Sequence, residues 1–202
     1  MLADEKLLPL PRTERMVNTL SRLYGPDRSK IYVRADARED TAKKEAGSCH
    51  ILQFATHGIL DNTNPMYSRL VMSQSGLGEH EDGMLEAWEV MKLDLNADMV
   101  ILSACDTARG RVAGGEGMIG LAWAFFVAGC PTTVVSQWSV EVNSTAELMV
   151  EFHKVLKPGI EARGNGMSKA AALRMAILKL MKRPGYGHPF YWAPFVVIGD
   201  AR

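Results

Sequence analysis

An α/β domain, built on a mostly parallel β-sheet with helices on both faces, is the architecture this sequence predicts. Strand and helix signals alternate along the 202 residues, the pattern that generates parallel sheets covered by crossover helices. Two short apolar runs, HILQFA at 50–55 and MVILSA at 99–104, read as buried parallel strands. A third run, EGMIGLAWAFFVAG at 116–129, is apolar nearly all round and predicts a deeply packed helix.

The remaining elements follow in order. Met16, Leu20 and Leu23 recur at helical spacing in 12–24, residues 30–34 (KIYVR) read as a short strand, and 38–46 as a polar helix. A weaker strand is expected at 69–73, and Leu85, Trp88 and Met91 share one face of a helix at 84–93. TTVVSQW at 132–138 is the next strand. Ser144 with Glu147 fits a capping box, followed by the apolar stripe Leu148, Phe152, Val155 and Leu156. Ser168 caps a further helix carrying Leu173, Ile177 and Leu180, and WAPFVVIG closes the chain as a strand. Loops rich in Gly and Pro are expected at 74–83, 106–117, 157–167 and 183–189.

Composition excludes several classes. Lys and Arg total 23 and so do Asp and Glu, so no bulk positive charge is available for nucleic acid. No apolar run approaches the ~20 residues of a membrane helix, and the charged, Pro-containing start MLADEKLLPLPR is unlike a signal peptide. Cys49, Cys105 and Cys130 are too few and too scattered for a disulfide scaffold, which points to the reducing cytoplasm.

Function in parallel sheets collects at the carboxyl ends of the strands. Two such ends carry reactive side chains: ILQFATHG delivers His57 and MVILSACDT delivers Cys105, 48 residues later. A cysteine needs a neighbouring base to become a useful thiolate, and histidine is its usual partner. The thiolate would attack a carbonyl carbon while the N–H groups of Gly58 and Cys105 hold the oxyanion. His57 would protonate the leaving amine and then activate water. Taken singly, Cys105 reads first as a small buried hydrophobe and His57 as a satisfied loop histidine; their occurrence as a pair at matching strand ends favours the catalytic reading.

Other motifs carry less. Gly115-Glu116-Gly117-Met118-Ile119-Gly120 matches G-x-G-x-x-G, but about ten residues separate it from the preceding strand, and Glu116 would repel a pyrophosphate. Cys49, His50, His57 and Cys105 lack the paired spacing of a zinc site. His80, His153 and His188 read as surface or helix residues.

FATHG, LSACDTA, GGEGMIGLAWAFFVAG, SQWSV, STAELM and HPFYWAPFVVIGD occur in the order typical of CHAT domains, bacterial caspase-like cysteine peptidases often fused to helical repeats. The chain resembles that family over residues 8–200. The resemblance implies a single caspase-like three-layer sandwich over 1–202, peptide-bond hydrolysis, and catalysis without metal or cofactor. It places the catalytic pair on His57 and Cys105. It also implies a protein or peptide substrate and latency until an activating partner, of helical-repeat type in relatives, orders the loops. Gln137, Trp138 and Ser139 would line the groove, with a core role for Trp138 as the alternative. Glu116 would border the site, and Ser103 would line the pocket for the residue before the scissile bond. Asp106 or Glu141, if either reaches that pocket, would favour a basic residue there; a loop or capping role is the alternative for Asp106.

Two departures stand out. Relatives carry an opening strand before the segment matching ADEKLLPLPRTER; here Met1, Leu2 and Ala3 alone are left for its tail. The expectation is a fragment or half of an assembly, or a different pairing of the N-terminal residues. Where many relatives have several acids after the Trp, this chain has Glu141-Val142-Asn143. The competing class is a docking module with the pair idle.

Overall fold

The computed structural model describes residues 7, 9–78, 81–103, 105–106, 116–138, 140–161 and 167–202, with the backbone only for 105, 106, 116–119, 160 and 161. Its main sheet has four strands in the order β1 (Ile51–Phe54), β5 (Met99–Leu102), β7 (Thr132–Ser136) and β8 (Phe195–Gly199). The first three run parallel and β8 returns antiparallel to β7. β5 and β7 are buried at every position, as their uninterrupted apolar and β-branched residues require.

Alternate residues of these strands feed two separate cores, which makes the domain three-layered. Val100, Leu102 and Val135 face α2 (Glu39–Ala46), α3 (Ala87–Val90) and α4 (Glu116–Val127) through Ala46, Val90, Leu121 and Phe125. Met99, Ile101 and Val134 face α1 (Pro11–Tyr24), α5 (Val142–Glu161) and α6 (Lys169–Met181) through Met16, Leu148, Phe152 and Leu173.

A second, smaller sheet was not expected from the sequence. It orders β4 (Met84–Glu86), β3 (Arg69–Val71), β2 (His57–Ile59) and β6 (Cys105–Asp106). Leu70 and Leu85 are register partners in it and reach the first core. Part of the helix expected at 84–93 is therefore strand. Leu85 satisfies a helical stripe and a strand equally well, and pairing with β3 decides; only Ala87–Val90 remain helical, under a capping box of Glu86 and Glu89.

Three further expectations change. Residues 30–34 form no strand; Val33 is extended, but the chain then enters a 3-10 turn at Arg34–Asp36. β1 ends the main sheet on that side, with no further strand paired to it among the described residues. Helix α5 runs through Pro158 to Glu161, into the span read as a loop. Helix α4 buries Leu121, Ala124 and Phe125 but leaves Trp123 58% and Val127 48% exposed, because an outer-layer helix has only one face on the sheet. At Gly120 it crosses so closely that a Cβ would lie 2.6 Å from the Cβ of Pro65.

Charge organises the docking of α2. The Lys43 ammonium sits 2.7 Å from Glu39, 2.6 Å from Glu81 and 2.8 Å from Glu89. Burial works against its charge, but the three carboxylates outweigh that and hold it above the ordinary lysine range. Glu39, 1% exposed, also accepts the N–H groups of Gly83 and Met84. Removing the central cation leaves the buried Glu39 and the half-buried Glu81 and Glu89 carboxylates crowded together without a counter-ion, which is strongly destabilising. Lys43→Met is expected to lower stability by about 3 kcal/mol in urea unfolding.

His153 on α5 lies in the second core, 2% exposed. Its ring contacts the Tyr24 hydroxyl at 2.9 Å and Gln53 Oε1 at 3.2 Å. Burial pushes its pKa down to about 4, so it is neutral at pH 7. The unfolded chain binds the proton first, near the ordinary 6.5, so this residue's contribution to stability is lost as pH falls from there towards 4. The loss amounts to about 3 kcal/mol at most. His153→Leu is expected to flatten the dependence of unfolding free energy on pH across that window, measured in urea against the wild type.

Candidate active site

β1 and β5 do not simply end at the carboxyl edge of the main sheet. Ile51 pairs with Met99 and Phe54 with Leu102. The Ser103 N–H then donates to Phe54 O at 3.0 Å. After a short break the same two segments pair again as β2 and β6, His57 with Cys105 and Gly58 with Asp106. Every pair along both stretches is offset by the same 48 residues. The interval noted in the sequence is thus the sheet register itself, and register partners on neighbouring strands lie about 4.8 Å apart.

The break is anchored on the β1–β2 side. The Thr56 hydroxyl donates to Val71 O and ties the turn to β3. Gly58 is buried in the middle of the second sheet, in register with Leu70 on one side and Asp106 on the other. His57 is half-buried.

Ser103, buried at the end of β5, accepts from the Gln53 side-chain amide at 2.7 Å, and its hydroxyl donates to Phe54 O at 3.2 Å. Both hydrogen-bonding functions of this hydroxyl are therefore used inside the protein. Nothing local to Ser103 marks this bond, because Gln53 lies 50 residues away.

β7 reaches the same carboxyl edge. The Gln137 N–H donates to Pro194 O at 2.8 Å while its side chain is exposed. Trp138 is 36% exposed rather than packed in the core. Ser139 lies outside the described residues, as do the side chains of Cys105, Asp106 and Glu116. The G-x-G-x-x-G match resolves into helix: Gly117 and Gly120 lie inside α4 rather than in a turn after a strand, and Gly115 is outside the described residues.

Glu141 caps α5, the task expected of Ser144. The Glu141 carboxylate accepts the N–H groups of Asn143 at 2.8 Å and Ser144 at 2.7 Å, capping α5. Ser144, read as the cap, is buried inside the first turn and donates back to Glu141 O at 3.1 Å. Burial alone would raise the Glu141 pKa, but these hydrogen bonds outweigh it and lower it. Glu141→Ala is expected to cost about 1 kcal/mol, the usual loss of an N-cap, read as a lower midpoint in urea.

The other candidate ligands do not converge. His50 is exposed beside Asp98, Cys49 Sγ contacts Glu45 O at 3.4 Å, and His188 caps the 3-10 turn at Pro189–Tyr191. His80 is outside the described residues. Among the described residues, the one cluster of three ligand-type side chains, Glu39, Glu81 and Glu89, encloses the Lys43 ammonium. The buried Cys130 thiol donates to Thr132 O at 3.1 Å, and burial raises its pKa.

A parallel-dominant α/β sandwich with His57 and Cys105 in register at its carboxyl edge has the caspase-like fold. The solved structure of gingipain R, an Arg-specific cysteine proteinase, matches with a TM-score of 0.55 at 14% identity, covering 98% of this chain and 43% of that one. The CHAT domain model matches residues 2–200, and the chain belongs to that family. It is also 30% identical over 117 residues to tetratricopeptide repeat protein 28 of mouse and of human. Those matches take in 58% of this chain and 4% of the length of each relative.

Proposed function

We propose that this domain is a cysteine endopeptidase working through Cys105 and His57. The observation that carries the reading is the shared register of these two residues on adjacent parallel strands at the carboxyl edge. In the proposed reaction the Cys105 thiolate adds to the scissile carbonyl, and the backbone N–H groups of Gly58 and Cys105 stabilise the oxyanion. Collapse breaks the C–N bond as His57 gives its proton to the departing amine. His57 then takes a proton from water, whose attack on the thioester releases the acid and regenerates the thiol.

Gln137 and Trp138, exposed at the end of β7, with Ser139 beyond them, are proposed to line the groove, and Glu116 its border. With Glu141 committed to capping α5, Asp106 is the acid left to favour a basic residue before the scissile bond. A helical-repeat segment or partner is proposed to regulate the domain, given the tetratricopeptide repeat relatives. Free thiols at Cys49 and Cys130 fit a reducing compartment. The docking-module reading shares the fold and differs only in an idle pair.

Two measurements test the reading. A proteome-derived peptide library, digested with wild type and with Cys105→Ala, should yield new termini only with wild type, enriched in Lys or Arg before the cut. Without an activator, alkylation by iodoacetamide separates the two readings. Near neutral pH Cys105 should react at least about tenfold faster than Cys49, Cys130 should be inert, and His57→Ala should slow Cys105. Equal rates at Cys105 and Cys49 would support the idle module.

A further inference from the structure

The second core is built from Met, Leu, Ile, Val, Phe and Ala, yet a continuous line of polar side chains crosses it. Tyr24 on α1 contacts His153 Nδ1 at 2.9 Å, and His153 Nε2 contacts Gln53 Oε1 at 3.2 Å. The Gln53 amide donates to Ser103 Oγ at 2.7 Å, and Ser103 donates to Phe54 O at 3.2 Å. The direction of every bond follows from its neighbour. Gln53 uses its NH2 on Ser103, so its oxygen accepts from His153 Nε2–H. A neutral imidazole then has Nδ1 as acceptor, and the Tyr24 O–H donates to it. The line therefore runs one way, from α1 through α5 and β1 to the end of β5.

Its end point is significant. Phe54 O receives both the N–H and the O–H of Ser103. Among the described residues, that carbonyl and that serine are the last junction between these two segments before His57 pairs with Cys105. A buried polar line is costly unless every member is satisfied, and a satisfied one fixes a single arrangement where apolar side chains would slide.

We propose that Tyr24, His153, Gln53 and Ser103 are positioning residues, whose one-way hydrogen-bond line sets the separation of the two strand ends carrying His57 and Cys105. The inference rests on the peptidase reading, since it needs a pair to position. It assigns Ser103 to the floor beneath the site and not to substrate contact. His153 acts from α5 without touching the reacting atoms.

The test is the pH–rate profile for iodoacetamide alkylation of Cys105 in the full chain, resolved by peptide mass spectrometry, with Cys49 as internal reference. Wild type should alkylate with a midpoint below that of Cys49. In Gln53→Met and Ser103→Ala the midpoint should rise towards that of Cys49, and the rate at pH 6.5 should fall roughly tenfold or more, since small misplacements of reacting groups have effects of this size. Ser103→Thr, which keeps the hydroxyl, should restore the wild-type profile. A purely structural line would lower the melting temperature and leave the midpoint in place; that result overturns the proposal. Should Gln53→Met fail to fold, Tyr24→Phe removes a single oxygen and should move the midpoint the same way by less; no movement overturns the proposal. A wild-type Cys105 that titrates like Cys49 would be a different failure. It would remove the peptidase reading, and with it the pair to be positioned.

Discussion

Parallel pairing in one constant register, between Ile51–Gly58 and Met99–Asp106, is the constraint on which the rest of this domain depends. It joins the two sheets, because the same pair of segments belongs to the main sheet before the break and to the smaller one after it. It sorts the side chains of β5 alternately into the two cores. It also aligns a histidine and a cysteine that the chain separates by 48 residues. A slip of one residue would exchange the two faces of β5 and dismantle all three relations together.

Around that register the supporting interactions divide by type. Apolar burial holds the layers, with Phe125 and Phe152 fully buried on opposite faces of the sheet. Polar contacts act at the joints instead. Lys43 fastens α2 to the loop and helix around β4 through Glu81 and Glu89, with Glu39 of its own helix as the third carboxylate. Thr56 anchors the break to β3. Glu141 starts α5, and α5 carries His153 to the underside of the strand ends. Polar groups thus occur where the chain changes direction or leaves a ladder, where backbone groups need partners that regular structure does not supply.

Much of this was legible in the sequence, for identifiable reasons. Strands β1, β5, β7 and β8 appeared as apolar or β-branched runs, α1 and α6 as periodic stripes, and α2 as a polar helix; Ser168 does accept the Ala171 N–H. The elements that were missed are short. β2 and β6 have three and two residues, too few for any alternation to register. Residues 30–34 have strand composition, but a strand exists only with a neighbour to pair with. His153 looked like an ordinary helix residue, because its partners Gln53 and Tyr24 lie 100 and 129 residues away. His57 and Cys105 drew notice because each follows a conspicuous strand, although each lies just past it, at the start of β2 or β6. The line beneath them was not legible, because nothing local marks a glutamine in a strand as one half of a bridge.

The same register has a kinetic meaning. Two segments 48 residues apart must find each other before the two strand ends are aligned, and closing a loop of that length costs entropy before any contact repays it. Sheets joined by such non-local pairings fold late and slowly relative to helical bundles. No hairpin or helix of this chain can carry His57 and Cys105 together on its own. On a ribosome, the two residues first become neighbours after the second has emerged and the sheet has closed. A nascent chain therefore carries His57 without Cys105 until synthesis has passed the midpoint of the 202 residues, and any chemistry of the pair waits for the sheet to close.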